Sequence, residues 1–480
     1  ENSKIEVLEN YLETFNPPQR AAVEYCEGPS LVIAGAGSGK TRVLTYKIAY
    51  LMEHGYQPWS ILALTFTNKA AGEMKDRIAK IVGVDYARML WMGTFHSIFL
   101  RILRQEHEKI GFSSNFTIYD AADSKSLVKS IIKEMELDDK TYKPGTVQGI
   151  ISNAKNQLVT AEQYASNPAN RQSDARHNMA ALGQIFLRYC NRCKQSDAMD
   201  FDDILLYTYL LFEKHPDVLA KWEQRFRYVL VDEYQDTNFA QHRIVWQLTR
   251  QHQHVCVVGD DAQSIYSFRG ANIDNILTFQ KIYESARLFK LERNYRSTQN
   301  IVEAANSLIK KNSRQIQKDI FSENDRGEKL HVMDTHSDIE EAKMVVNAIR
   351  GIKRKEGCEY SDFAILYRTN AQSRVFEDTM WKESLPYRIY GGLSFYQRKE
   401  IKDVIAYFRL AVNPNDEESF KRVINYPARG IGQTTVTKIL SAATEHEVSL
   451  WTVINSPEQY ELGVNKGTLM KIAAFREMIS

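Results

Sequence analysis

The chain has 480 residues, 43% of them apolar, with 62 Lys and Arg against 60 Asp and Glu, for a net charge of +2. That length allows three or four ordinary domains, and the composition excludes a disordered, fibrous or collagen-like chain. No run approaches the ~18 apolar residues of a membrane helix, the acidic start is unlike a signal peptide, and the few scattered cysteines fit a reducing, cytoplasmic compartment. Charge this close to balance excludes a uniformly basic polyanion binder, so any nucleic-acid surface must be local.

In chain order, "SLVIAG", "ILALTFT" (61–67) and "MLWMGTF" (89–95) alternate with amphipathic helices and predict a parallel sheet covered on both faces. From about 101 to 199 the strands disappear into a polar helical insertion, in which Cys190 and Cys193 read as helix residues because a zinc site would need a second ligand pair. Strands return at "RYVLVDE" (227–233), "HVCVVGD" (254–260) and "ARLFKLE" (286–292). A second α/β series is expected at 329–335, 363–369 and 387–392, followed by helices from 393 onward.

The stretch "LVIAGAGSGKT" (31–41) joins a strand to a helix through a glycine-rich turn, with Ala34 in place of the usual first glycine. Small residues let the backbone N–H groups of Gly37, Ser38 and Gly39 curl around phosphate oxygens. Lys40 adds a point charge, and the Thr41 hydroxyl can hold Mg²⁺. "YVLVDEYQD" (228–236) ends a strand in two carboxylates, which suits divided labour: Asp232 for the metal, Glu233 for the attacking water. Gln263 follows the next strand, within reach of a γ-phosphate. Arg293 and Arg296 in "LERNYRST" could each neutralise charge on a transferred phosphoryl group. Gln19 in "NPPQRAA" has the donors and acceptor to pair with an adenine edge.

Together these blocks resemble superfamily 1 DNA helicases of the UvrD/Rep/PcrA group. The matching segments, in family order, are Gln19, the loop 34–42, "TFTNKAAGEM" (65–74), "GTFHS" (93–97), "VDEYQD", "GDDAQSIYSFRGA", "LERNYRS" and "YGGLSFYQRKEIKD" (390–403). The resemblance implies an α/β fold of two RecA-like cores with parallel sheets, each carrying a helical insertion. Residues 1–100 with 200–290 would form the first core, 101–199 its insertion, 291–392 the first part of the second core, and 393–480 the start of the second insertion. It further implies ATP and Mg²⁺ as cofactors. Gln19 would read adenine with Tyr295 stacked on it and Arg42 beside it, Lys40, Thr41 and Asp232 would hold phosphates and metal, Glu233 and Gln263 would serve water and γ-phosphate, and Arg296 would be an arginine finger.

A helicase must grip single-stranded DNA without reading it, by stacking and phosphate contacts. Phe66, His96, Tyr266, Phe268 and Arg269 lie in the strand-facing motifs, with Phe268 where the family commonly has Trp. "YPARGIGQTTVTKIL" (426–440) reads either as a hairpin whose N–H groups meet a duplex phosphate or as a plain turn between helices. The expected activity is ATP-driven 3′→5′ translocation and unwinding at single-strand/duplex junctions, in repair or replication at the bacterial nucleoid. A "SKGLEF"-like motif and an arginine-bearing last motif do not occur in the sequence. The C-terminal motifs are therefore expected to be lacking, the second insertion truncated at Ser480, and the piece only weakly active. A DNA-binding scaffold that uses ATP as a switch is the rival from another class, with a small-molecule kinase more distant.

Overall fold

The computed structural model describes residues 11–391 and 395–480. The acidic start, and residues 392–394 of the expected segments 387–392 and 390–403, lie outside them. The chain forms two compact units, residues 1–327 with 406–480, and residues 328–405.

Among the described residues the strands of the first unit are, in chain order, β1 (Ser30–Ala34), β2 (Ile61–Thr65), β3 (Trp91–Thr94), β4 (Thr117–Tyr119), β5 (Ala198–Asp200), β6 (Tyr228–Val231), β7 (Val255–Gly259), β8 (Arg287–Leu291), β9 (Arg293–Asn294) and β10 (Phe321–Ser322). Six of them form one sheet in the order β3-β2-β6-β7-β1-β8, with every pair parallel. The α/β, parallel-sheet architecture read from the sequence is the one found. Its strands are near-continuous apolar runs because both faces are covered. The two-residue period sends Leu31, Ile33, Leu62, Leu64, Val229 and Val231 into one core with Phe95 and Phe99. Val32, Ala34, Ile61, Ala63, Leu230 and Cys256 go to the other, against Val43, Ile48 and Met74. Each large aliphatic side chain so buried contributes about 1.5–3 kcal/mol.

Register then fixes where the turns emerge. Leu64 pairs with Val231, and Ile33 with Gly259. The segments after β1, β6 and β7 consequently leave the sheet at one carboxyl edge, the usual ligand edge of an open parallel sheet.

Residues between Ala121 and Gln195 are helical around their own core, which includes Leu127, Ile131, Ile151, Ile185 and Phe186. One feature differs from the sequence reading: β4 and β5 pair in parallel at the insertion's root, Thr117 beside Ala198. Three-residue strands lack the length to show a period. Residues 406–480 continue as helices, Glu417–Val423, Gln433–Glu445, Leu450–Asn455 and Lys466–Ile479, around Phe420, Ile439, Val453 and Phe475. No helix among the described residues is long and apolar enough to cross a membrane.

The unit 328–405 contains the helices Asp338–Glu356 and Ser373–Lys382, packed through Val346, Ile349, Met380 and Leu385. The strands expected at 329–335, 363–369 and 387–391 are not formed there. Their apolar side chains are largely in solvent, Val332 at 89% and Leu366 at 94% exposure. A strand exists through its ladder, and these runs pair with no strand among the described residues.

Candidate active site

The turn after β1 is shaped by two glycines with left-handed backbones, Gly37 (φ 66°) and Gly39 (φ 82°). Both are also closely approached: a Cβ on Gly37 would lie 2.7 Å from Arg296 Cβ, and one on Gly39 2.8 Å from Gln19 Nε2. Only glycine meets both demands. Gly39 caps the helix Lys40–Glu53, so the loop delivers Lys40 and Thr41 at a helix N-terminus.

Lys40 Nζ contacts Glu233 Oε1 and lies 3.7 Å from Asp232 Oδ1. Burial opposes the lysine's charge, but the two carboxylates outweigh it and hold its pKa above the ordinary value. Burial raises the Asp232 carboxyl, with Lys40 pulling the other way. Glu233 itself stands in the left-handed region, at φ 50° and ψ 44°. For a residue other than glycine this stores on the order of 1–3 kcal/mol, strain of the kind that gathers at functional sites. It turns the side chain back over the loop, where Gln235 Nε2 donates to Glu233 Oε2 at 2.7 Å. After β7, Gln263 Nε2 donates to Asp260 Oδ2 at 2.8 Å.

From β9, Tyr295 N donates to Gly37 O at 2.8 Å and Asn294 Nδ2 to Ala36 O at 2.6 Å. Asn294 Oδ1 in turn accepts from the N–H groups of Arg296 and Ser297. Arg296 is thereby held over the loop at Gly37. Arg293, the other arginine of the motif, instead pairs with Glu323 at 2.7 Å and covers the Tyr295 ring at 4.6 Å.

Gln19 is buried, and its amide already works within the protein. Nε2 donates to Ser38 O at 2.9 Å, and Oε1 accepts from Asn16 N at 3.1 Å in a capping box. One N–H and one lone pair remain, the complement an adenine edge requires. Tyr295 Oη accepts from Asn16 Nδ2 at 2.8 Å, and Arg42 contacts Thr14 and covers Phe15 at 4.6 Å, so Gln19, Arg42 and Tyr295 all gather on the segment 14–19.

The strand-facing candidates separate into two groups. Phe66 is half-buried against Phe95, with ring centroids 5.4 Å apart. His96 is stacked on Phe201 at 3.8 Å and 12°, and burial lowers its pKa to about 4, which keeps the imidazole neutral. Tyr266 and Phe268 are exposed with centroids 6.0 Å apart, and Arg269 lies 5.4 and 5.5 Å from the two rings.

Four residues at this edge escaped the sequence reading: Gln235, Asn294, Asp260 and Phe201. The first three are polar residues that combine local bonds with contacts remote in sequence, Asn294 to Ala36 and Asp260 to Gln235. Phe201 carried no usable signal: it lies in helical register with the buried Leu205, Thr208 and Phe212, and only its place at the helix start leaves it exposed.

The hairpin at 426–440 joins two helices, with Ile431 buried and its N–H donated to Asn425 Oδ1 at 3.2 Å. That N–H is therefore occupied within the turn.

Comparison with known proteins agrees with this geometry. The family model for the UvrD/REP helicase N-terminal domain matches residues 15–284, and that for the UvrD-like helicase C-terminal domain matches residues 289–466. The second match corrects the expectation that the C-terminal motifs are lacking, and the weak activity expected on that ground loses its basis. The two absent motif strings were too narrow a signature on which to judge that domain. Similar curated proteins include the ATP-dependent DNA helicase PcrA of Staphylococcus aureus (strain Mu50 / ATCC 700699), 44% identical over 470 residues, and that of Bacillus subtilis (strain 168), 45% over 469. The PcrA of Leuconostoc citreum is 43% identical over 473 residues. These alignments cover 98% of this chain and 62–63% of each relative. A glycine-rich turn at a helix N-terminus, paired carboxylates and an arginine from the following segment thus share one sheet edge in a chain whose residues 15–284 and 289–466 match the two domain models, and the chain belongs to the UvrD/Rep/PcrA family of superfamily 1 helicases.

Proposed function

We propose that this chain carries the ATP-hydrolysing and strand-gripping parts of a DNA helicase or translocase that moves 3′→5′ on single-stranded DNA. It would act at single-strand/duplex junctions in repair or replication, in the cytoplasm at the nucleoid. The observation that carries this reading is the convergence of Lys40 on Asp232 and Glu233, beside Arg296 at Gly37.

The residues present fit ATP and Mg²⁺. Ser38 Oγ is a buried hydroxyl without a hydrogen-bond partner among the described residues, in a loop curled by the left-handed Gly37 and Gly39. Thr41 and Asp232 offer hard oxygen donors, and the partial set they form suits a Mg²⁺ that keeps water and phosphate ligands. Bound Mg²⁺ would neutralise charge across the β- and γ-phosphate oxygens. Lys40 would exchange its carboxylate contacts for phosphate oxygens, freeing Glu233 Oε1 to take a proton from the attacking water. Gln235, bonded to Oε2, would keep that carboxylate oriented. Arg296 would neutralise charge on the transferred group, and Gln263 retains one N–H and its carbonyl to fix the water.

Turnover of ATP by the full-length protein, with and without an oligo-dT strand, tests the reading. The strand should stimulate hydrolysis. Glu233→Gln should cut turnover by about 10²–10⁴-fold with Mg-ATP affinity nearly unchanged. Unstimulated wild-type hydrolysis would refute the translocase reading, and a collapse of ATP affinity in the variant would refute the separate roles of Asp232 and Glu233.

A further inference from the structure

Lys318 lies in the segment between the helix Gln299–Ile309 and β10, outside every motif considered above. Its side chain is 6% exposed and closes on two neighbouring carboxylates, Asp260 Oδ1 at 3.1 Å and Asp261 Oδ1 at 2.7 Å. Asp261, fully buried, also accepts from Ile316 N at 2.8 Å. Placing three charges where solvent cannot screen them is costly unless geometry and partners are good. Here the partners lead directly to the reacting centre.

Asp260 uses all of its polar atoms. Oδ1 accepts from Lys318 and from Ala262 N (3.1 Å), and Oδ2 accepts from Gln263 Nε2 (2.8 Å). Its own N–H donates to Gln235 Oε1 at 3.0 Å, and Gln235 continues to Glu233. An unbroken path of polar contacts, buried as far as Gln235, runs from Lys318 to Glu233, the proposed general base. The same segment returns to the other side of the site: β10 pairs with β9, whose Asn294 holds the Arg296 backbone.

We propose that Lys318 is a positioning residue for ATP hydrolysis, fixing the Asp260 carboxylate so that Gln263 is held in the orientation that meets the γ-phosphate and its water. This rests on the role given to Gln263 above. With Lys318 neutral, Asp260 and Asp261 repel across a few ångströms, Asp260 turns away, and the Gln263 amide loses its anchor. Lys40, Ser38 and Thr41 are untouched, so the loss falls on kcat rather than on KM for ATP.

The test is a double-mutant cycle in the full-length protein, measuring ATP turnover at saturating oligo-dT. Lys318→Met should lower kcat on the order of 10²-fold, as a misplaced group at a reacting centre does, with KM for ATP little changed. In a Gln263→Ala background the same substitution should cost almost nothing further, because the group it positions is gone. Multiplying effects in the double variant would overturn the inference and leave Lys318 a plain neutraliser of buried acids. Asp260→Asn, nearly isosteric, guards against misfolding of the Lys318 variant. Its single oxygen cannot serve both partners, so it should reproduce the kcat loss and the same non-additivity, and additivity here would equally overturn the claim. The Gln263→Ala single variant separates the two readings: unchanged kcat would refute the γ-phosphate role of Gln263 itself, whereas a lowered kcat with a multiplicative cycle refutes only the role of Lys318.

Discussion

Phe201 spends apolar surface on solvent, and its position explains why. It opens the helix Phe201–Lys214 directly after the cap Asp200, and at 53% exposure it stacks on His96 rather than entering the core. An exposed ring held against a neutral imidazole is a preformed platform with one free face, which a base can cover at little entropic cost. Phe268, at 66% exposure, offers a second platform beside Arg269. Phe201→Ala should therefore weaken oligo-dT binding by about 1–3 kcal/mol, equally for other base compositions. Thermal stability should hardly move, because little buried area is lost. Fluorescence anisotropy with dT and dA strands checks this. Unchanged affinity would mean that the ring pair is not part of the grip.

At the scale of elements, legibility followed how local the physical cause is. β1, β2, β6 and β7 were readable because a strand buried on both faces is an apolar run wherever its partners lie. The glycine-rich turn after β1 was readable because its glycines answer to local backbone geometry. The extended runs at 329–335 and 363–369 misled for the converse reason, since apolar alternation does not supply a neighbouring strand. Partner choice across long separations was equally hidden. Asp200 and Asp203 form a readable capping box, but the ion that closes it comes from another helix: Lys155 Nζ lies 2.7 Å from Asp200 Oδ2 and 2.8 Å from Asp203 Oδ1, while Tyr189 Oη donates to Asp200. Lys155→Met should cost about 3–5 kcal/mol, the penalty for leaving buried carboxylates unpaired. Burial and the Asp200 charge raise the Asp203 pKa to about 7 even with Lys155 present. A carboxyl so raised binds more protons folded than unfolded between about pH 4 and 7, so its contribution to stability falls as pH rises through that window. The variant should consequently lose more stability at pH 8 than at pH 5 in denaturant titrations. An equal loss at both would show that the pair does not share its charge as the geometry requires.

For the molecule as a whole, the first unit joins segments that are distant in the chain, and a polar seam does the joining. The segment from β4 to β5 meets the helices after residue 406 through Tyr119 Oη to Asp416 Oδ1 (2.9 Å), Asn413 Nδ2 to Thr117 Oγ1 (2.9 Å), and Arg409 to Asp123 (3.0 Å). At its centre Arg192 reaches Glu417 with both Nε (3.0 Å) and Nη2, and Glu134 with Nη1 (2.7 Å), while Lys421 pairs with Glu418 at 2.6 Å. A seam of buried ions specifies how the segments dock more than it stabilises them, because desolvation offsets most of the attraction. Two consequences follow from that balance. Arg192→Met alone should destabilise by about 3–5 kcal/mol, yet adding Glu417→Met should recover part of the loss, since the double variant removes the most buried carboxylate left without the arginine, Lys421 keeps Glu418, and only the partly exposed Glu134 lacks its arginine. The pH response should have two phases. Burial raises Asp416 and Glu418, so on acidification they first contribute stability as they take up protons ahead of the unfolded chain. Burial also opposes the Glu417 charge, but Lys421 and Arg192 prevail and hold its pKa below the ordinary value. Its contribution is present above the unfolded carboxylate pKa of about 4.3 and is lost as pH falls below that. Stability measured by urea titration from pH 7 to 3 should therefore show the second, falling phase in the parent protein and a weaker one in the double variant. If the two curves ran parallel, the Arg192–Glu417 contact would not be what the acid breaks.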